Sequence, residues 1–229
     1  MKSVFLFLFV FSFELLADGP KCFSLVENQN SRDVLTEANA VTPRDLLARL
    51  VLAEGLSTNY SSHPDCRGVG EPIFQLIAFG VMNRVRLGEA DKYWEKKFGK
   101  GIRGVIFKPS QFNPAVSKRS NFSKIFLCPS SVDNGEVLWK EALAAADKSM
   151  KQPELNPFIQ TLWEKKHNLS LVSHFYYPLS LQATSTPPSW AQTERHPKAW
   201  VKDMKVDNQS VPNRCIWFFR HESARNLPQ

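Results

Sequence analysis

The chain has 229 residues, a formal net charge of +7, 43% hydrophobic and 22% charged residues, and four cysteines. That length suffices for one domain, or two intimate lobes, around a substantial core, and the basic balance favours an anionic partner such as wall polymer, a lipid surface or nucleic acid, unless the charge serves solubility alone. Cys22, Cys66, Cys128 and Cys215 form no CxxC pair and no metal-finger spacing, which argues against a zinc finger and, in an oxidising compartment, for two disulfides. Three pairings are open, of which Cys22 with Cys215 would tie the two ends together.

Residues 1–17 read as a secretory signal: Lys2, the apolar run Val4 to Phe13, then Leu15-Leu16-Ala17 before Asp18. The run is short for a membrane span and is followed by Glu14, so an exported chain starting near Asp18 is expected. Losing this segment removes Lys2 and Glu14, one charge of each sign, and the +7 balance persists. Residues 18–41 are polar and aperiodic, a lead-in to a domain over 42–229.

The first strong element runs from Thr42 to Gly55 as an amphipathic helix. Thr42 is a cap, Pro43 suits the first turn, Asp45 is placed to complete a capping box, and Gly55 offers a stop. Leu47, Leu50 and Glu54 share one face by their spacing. Residues 56–70 are rich in Ser, Gly, Pro and Asn and read as a long loop holding Cys66. Pro72 opens a helix that is apolar on all sides through Val85, hence buried and central. Residues 91–112 read as loop with a short extended piece. A third helix spans Gly135–Met150, with Asp133 and Glu136 as its capping box and Trp139, Leu143 and Ala146 on one face. Residues 156–167 offer a further helix, Leu171–Tyr177 an extended segment, and Trp217-Phe218-Phe219 a final strand. The fold class expected is mainly α with small β elements (α+β).

Glu54 is the residue that invites chemistry. A carboxyl aimed where leucines point has its charged form disfavoured, so its pKa rises toward the range a general acid needs. Asp65 and Glu71 are the acids near enough in sequence to act as a second carboxylate, although Glu71 just before Pro72 also suits a helix start. Alternation on the extended segment sends Ser173, Phe175 and Tyr177 to one side and His174 and Tyr176 to the other. The five histidines make no HxxxH or HExxH pair, so a zinc amidase is not supported, and no nucleic-acid motif is present.

With these elements placed, Leu47-Ala48-Arg49-Leu50-Val51-Leu52-Ala53-Glu54, Val81-Met82-Asn83-Arg84-Val85, Pro109-Ser110-Gln111-Phe112-Asn113 and Ser173-His174-Phe175-Tyr176-Tyr177-Pro178 resemble, in this order, the cell-wall hydrolase family of the spore cortex-lytic enzymes. With Trp190 and the ending Arg214-Cys215-Ile216-Trp217-Phe218-Phe219-Arg220, the similarity spans roughly residues 44–220. The resemblance implies a lysozyme-like, lytic-transglycosylase-like domain that cuts peptidoglycan glycan strands, with Glu54 as catalytic acid. The motif favours the Gln111 amide as a sugar-binding group, with Phe112 as groove floor unless Phe112 is core and Gln111 caps a turn; one face of the extended segment can line a cleft, so Ser173, Tyr176 and Tyr177 are further substrate-binding candidates, with Asn83 and Glu71 in support. Asn83 also reads as a brace for backbone, and Arg84 as the partner of an acid. No metal and no cofactor are implied, and the expected protein is a monomer acting in the periplasm or outside the cell. A lysozyme-type hydrolase using the same Glu54 and a non-catalytic peptidoglycan-binding protein are the alternatives. The chain departs from the family after Gly55, where a longer loop with Cys66 replaces a short Ala-rich segment, which bears on the choice of glycan.

Overall fold

The computed structural model describes residues 19–24, 31–37, 41–56, 63–67, 70–116, 121–180 and 187–221. The expected signal segment and residues 57–62 and 68–69 of the expected loop after Gly55 lie outside them. Among the described residues the helices are α1 (Ser31–Glu37), α2 (Pro43–Gly55), α3 (Glu71–Ala90), α4 (Lys92–Phe98), α5 (Gly101–Ile106), α6 (Asn113–Val116), α7 (Asn121–Leu127), α8 (Gly135–Lys151) and α9 (Leu162–His167). The strands are β1 (Val172–Tyr176), β2 (Trp200–Val201), β3 (Lys205–Val206), β4 (Gln209–Ser210) and β5 (Trp217–Arg220). The protein is therefore mainly helical with small antiparallel sheets.

Helix α2 starts as its sequence dictates. Thr42 Oγ1 accepts from the Asp45 N–H at 3.1 Å, and Pro43 fills the first turn. The Asp45 carboxylate does not close a capping box, because Arg49 Nε one turn on claims it at 3.2 Å. Nor is α2 amphipathic: every residue from Leu46 to Gly55 is buried, since α3, α5, α7 and α8 all pack around it. Gly55 is not a left-handed stop either. It lies inside the helix, and a Cβ there would fall on the Phe74 ring of α3, so it is required by the close approach of the two helices.

Helix α3 is the buried central helix, out of solvent from Ile73 to Val85, and lies against α2, α4, α5, α8 and β1. Residues 91–112 differ from the loop and extended piece expected. Asp91 caps α4 by accepting from the Tyr93 N–H, Gly99 turns the chain at φ 103°, and α5 follows at once. Two short helices with a glycine between them leave little periodicity to read. The α8 start also differs: Asn134 in the left-handed region precedes it and no side chain caps it, so Asp133 and Glu136 make no capping box there. Its buried face is Trp139, Ala142, Ala145 and Ala146, with Leu143 at the margin. The 156–167 helix shrinks to α9, where Thr161 and Glu164 do form a capping box.

Strands β1, β5 and β2 make one antiparallel sheet in that order, with Tyr176 opposite Trp217 and Trp200 opposite Phe219. Strands β3 and β4 form a hairpin whose turn is Asp207-Asn208, both at positive φ, as a tight two-residue connection requires. Buried Glu164 ties the sheet to α9. Its carboxylate accepts from the backbone of Gln160, Thr161 and Leu171, from Ser170 Oγ and from Arg220 on β5.

The disulfides are Cys22–Cys128 and Cys66–Cys215, so the two ends are not joined to each other as a Cys22–Cys215 bridge would do. The first fixes the lead-in segment to the end of α7, and the second fixes the turn at 64–66 to the approach to β5. Arg49 reinforces the first. It is fully buried and donates to the carbonyls of Phe126, Leu127 and Lys21, with Phe23 and Trp139 rings against its guanidinium. No described helix is long and apolar enough to cross a membrane. That and the two disulfides are compatible with an exported protein.

Candidate active site around Glu54

Glu54 occupies the last turn of α2, where α3 crosses it, and is only 8% exposed. Burial is the larger influence on its carboxyl and the Arg84 charge opposes it; the balance pushes the pKa up from 4.5 to about 7. A group balanced near neutrality holds a proton half the time and can both give one and take one back, which is what acid–base catalysis at neutral pH asks.

Arg84 is the cation of the site. It stands on α3, buried, and donates through Nε to the Ser173 carbonyl and through Nη1 to Gln111 Oε1 at 2.8 Å. Its guanidinium lies over the Phe112 ring at 4.5 Å. These contacts hold it, and it acts on Glu54 by charge without an ion pair. Burial pulls its own pKa down to about 10 while Glu54 pushes the other way. Arg84 makes no ion pair with an acid among the described residues, so the expected pairing is replaced by an influence of its charge on Glu54.

Tyr177 follows β1 and closes another side. Its hydroxyl is out of solvent and has no hydrogen-bond partner among the described residues, and burial followed by the Glu54 charge drives its pKa well above the usual tyrosine value. The ring meets Phe175 edge-on. The predicted alternation holds: Phe175 and Tyr177 pack on the main core, whereas His174 and Tyr176 face Trp190.

The remaining candidates fall into different places. Gln111 is half-buried and spends its side-chain oxygen on Arg84, so it positions the cation. Phe112 and Ser173 are each 1% exposed, which rules them out as surfaces a ligand could touch in this conformation: Phe112 is a core ring beneath Arg84, and Ser173 shares a hydrogen bond with His174 Nδ1 at 2.9 Å. Tyr176 is half-buried between Trp190 and Trp217, on the face of the sheet away from Tyr177. Asn83 braces backbone, donating to the Val172 carbonyl at 2.8 Å while accepting from Asn156 Nδ2 at 2.7 Å.

Neither acid weighed as a second carboxylate joins Glu54. Glu71 is exposed at the α3 start and accepts from Gln75 Nε2 at 3.2 Å. Asp65 is exposed and accepts from Arg214 Nη2 at 2.6 Å. His174 is half-buried beside Trp190, Phe98 and His221, and desolvation, then the charges of Arg84, His221 and Lys97, pulls its pKa down to about 3. It is neutral at any working pH, a structural histidine. Among the described residues, no group of three or more His, Cys, Asp or Glu is arranged to hold a metal ion.

Two features escaped the sequence. Tyr177 as a neighbour of Glu54 depends on how β1 crosses α3, for which no local pattern exists. Arg49 is fully buried, its guanidinium held by three carbonyls, the Asp45 carboxylate and two aromatic rings that come from distant segments, which no local pattern signals. Comparison of the chain with protein-family models, with curated proteins and with solved structures finds no match.

Proposed function

We propose that this protein is an exported, monomeric enzyme that cleaves the glycan strands of peptidoglycan as a lytic transglycosylase, with Glu54 as its one acid/base, on a lysozyme-like scaffold. The observation that carries the reading is the buried Glu54 carboxyl, pushed up to about 7, beside a single opposing cation. Protonated Glu54 gives its proton to the glycosidic oxygen between N-acetylmuramic acid and N-acetylglucosamine as the C1–O bond breaks and positive character builds on the muramic ring. Arg84 stabilises the carboxylate thus formed. That carboxylate takes the proton of the same sugar's C6 hydroxyl, whose oxygen bonds to C1 and closes a 1,6-anhydro ring. Glu54 ends protonated, and no water is consumed. A hydrolase of the two-carboxylate kind needs a second acid within about 10 Å. Glu71 and Asp65 are instead exposed and engaged with Gln75 and Arg214, which favours the one-carboxylate route. The basic surface holds the protein to an anionic wall.

The test is release of soluble dye from labelled, purified peptidoglycan by the oxidised protein and by Glu54→Gln. Release by the wild type alone is expected. Equal release by both would remove Glu54 from the chemistry, and binding to the wall without release by either would assign a binding protein.

A further inference from the structure

An antiparallel sheet with one face on the core ordinarily turns polar side chains outward on the other. The sheet formed by β1, β5 and β2 does not. Phe175, Phe218 and Val201 pack on the main core, while the opposite face carries Tyr176, Trp217, Phe219 and Trp200. Phe219 is buried, with the Trp190 ring edge-on to it at 5.8 Å, but Tyr176, Trp217 and Trp200 are each only half-buried. Their rings run across the three strands in order, with centroids 6.0 Å apart from Tyr176 to Trp217 and 5.5 Å apart from Trp217 to Trp200. Each step is comparable to the length of one sugar ring.

The chemistry of this row selects its ligand. Among the described residues the aliphatic members of the cluster are Ala191 and Ala199, both buried, so the exposed part is aromatic. Trp and Tyr join an apolar ring to a polar tip, which suits a ligand that is flat and apolar on its face and polar at its rim. A pyranose has C–H bonds on its face and hydroxyls around its edge. Strands of five, four and two residues are too small for a stable protein interface, which takes about 800 Å² a side. Between Trp190 and Lys202 the exposed charges are Arg195, Lys198 and Lys202 against Glu194 alone, and the Lys202 ammonium lies 4.5 Å from the Trp200 ring centre. That balance complements a glycan bearing carboxylates, as the lactyl groups of muramic acid do.

We propose that Tyr176, Trp217 and Trp200 form a stacking platform for a peptidoglycan glycan strand, separate from the Glu54 site. Successive sugars lie over the three rings, and Lys202 meets a lactyl carboxylate. Because Phe175 and Tyr177 turn to the core side of the sheet and the platform faces away from it, the strand held here is not the strand being cut. The platform anchors the protein to the wall. The identity of the strand rests on the proposed function, whereas the stacking does not depend on Glu54.

The experiment titrates the full-length, oxidised protein carrying Glu54→Gln, so that nothing is cut, with short soluble glycan strands freed of their stem peptides, and follows the tryptophan indole N–H signals by NMR. The Trp217 signal, identified by its loss in Trp217→Phe, is expected to move with added strands while that of buried Trp139 stays. Adding Trp217→Ala is expected to weaken binding read at the Trp200 signal by roughly tenfold, the size of one lost aromatic contact. A Trp217 signal that does not move would overturn the proposal, whether or not Trp217→Ala folds. So would unchanged affinity in a folded Trp217→Ala, or movement of the signal with anionic phospholipid vesicles and not with glycan. Wild-type protein that releases nothing from peptidoglycan while Trp217 responds would refute the enzymatic reading and leave the platform standing; release together with a silent Trp217 would do the reverse.

Discussion

Arg84 Nη1 donates to Gln111 Oε1 at 2.8 Å, so the cation that opposes the burial of Glu54 is aimed by a half-buried amide from the segment after α5. Replacing the cation by a neutral chain of similar length removes that opposition and leaves burial alone to act. Arg84→Met is expected to raise the Glu54 midpoint above about 7 by roughly one pH unit or more, within the range a neighbouring charge commands. Carboxyl NMR checks this. A midpoint that falls would show that Arg84 does not face Glu54.

Gln111 gives a milder version of the same effect. Gln111→Leu frees the guanidinium to move without removing its charge, so the Glu54 midpoint should shift by less than in Arg84→Met. Turnover of peptidoglycan should fall while folding persists, because the Ser173 carbonyl still accepts from Arg84. Equal shifts in the two variants would mean that the amide, and not the charge, governs the site.

Glu54 and His174 have opposite effects on stability as pH changes. Between about 4.5 and 6.5 the folded protein keeps Glu54 protonated and His174 neutral, whereas the unfolded chain has Glu54 ionised and His174 protonated. Each state binds one proton, so the two contributions cancel and this pair leaves stability flat across the window. In Glu54→Gln only His174 remains, and stability should rise with pH up to about 6.5, by up to about 1.4 kcal/mol per unit. In His174→Gln only Glu54 remains, and stability should fall as pH climbs from about 4.5 to about 7, by roughly 3 kcal/mol in all. Urea midpoints at several pH values read both slopes. The same sign for both variants would contradict the account.

The disulfides should be worth most of the protein's margin. Cys22–Cys128 and Cys66–Cys215 span 106 and 149 residues, and on the chain-entropy account each loop constraint contributes about 4–5 kcal/mol. Cys22→Ser with Cys128→Ser should cost less than Cys66→Ser with Cys215→Ser, because buried Arg49 still fastens Lys21 and the end of α7. Melting of the two double variants under oxidising conditions gives the order.

The extent to which the fold was legible follows the strength of local signals. Thr42-Pro43 and the unbroken apolar run of α3 announced their helices because capping and burial are written in neighbouring residues. The short helices α4 and α5 were not legible, since six or seven residues give less than two turns of pattern and their ends are set by Asp91 and Gly99. The β3–β4 hairpin had a readable cue in Asp207-Asn208, two residues that tolerate positive φ, between strands too short to show alternation. Disulfide pairing was not legible at all, because it depends on where the segments holding Cys22 and Cys66 come to rest. At the site, the buried setting of Glu54 could be anticipated from its spacing to Leu47 and Leu50, whereas the burial of Phe112 and Ser173 depended on the crossing of β1 with α3.

The most direct measurement is mass spectrometry of the fragments that the oxidised protein releases from purified peptidoglycan, beside Glu54→Gln. The account predicts fragments ending in 1,6-anhydromuramic acid, lighter by one water than reducing-end products and missing with the variant. Reducing-end fragments, or the same anhydro products from Glu54→Gln, would contradict it.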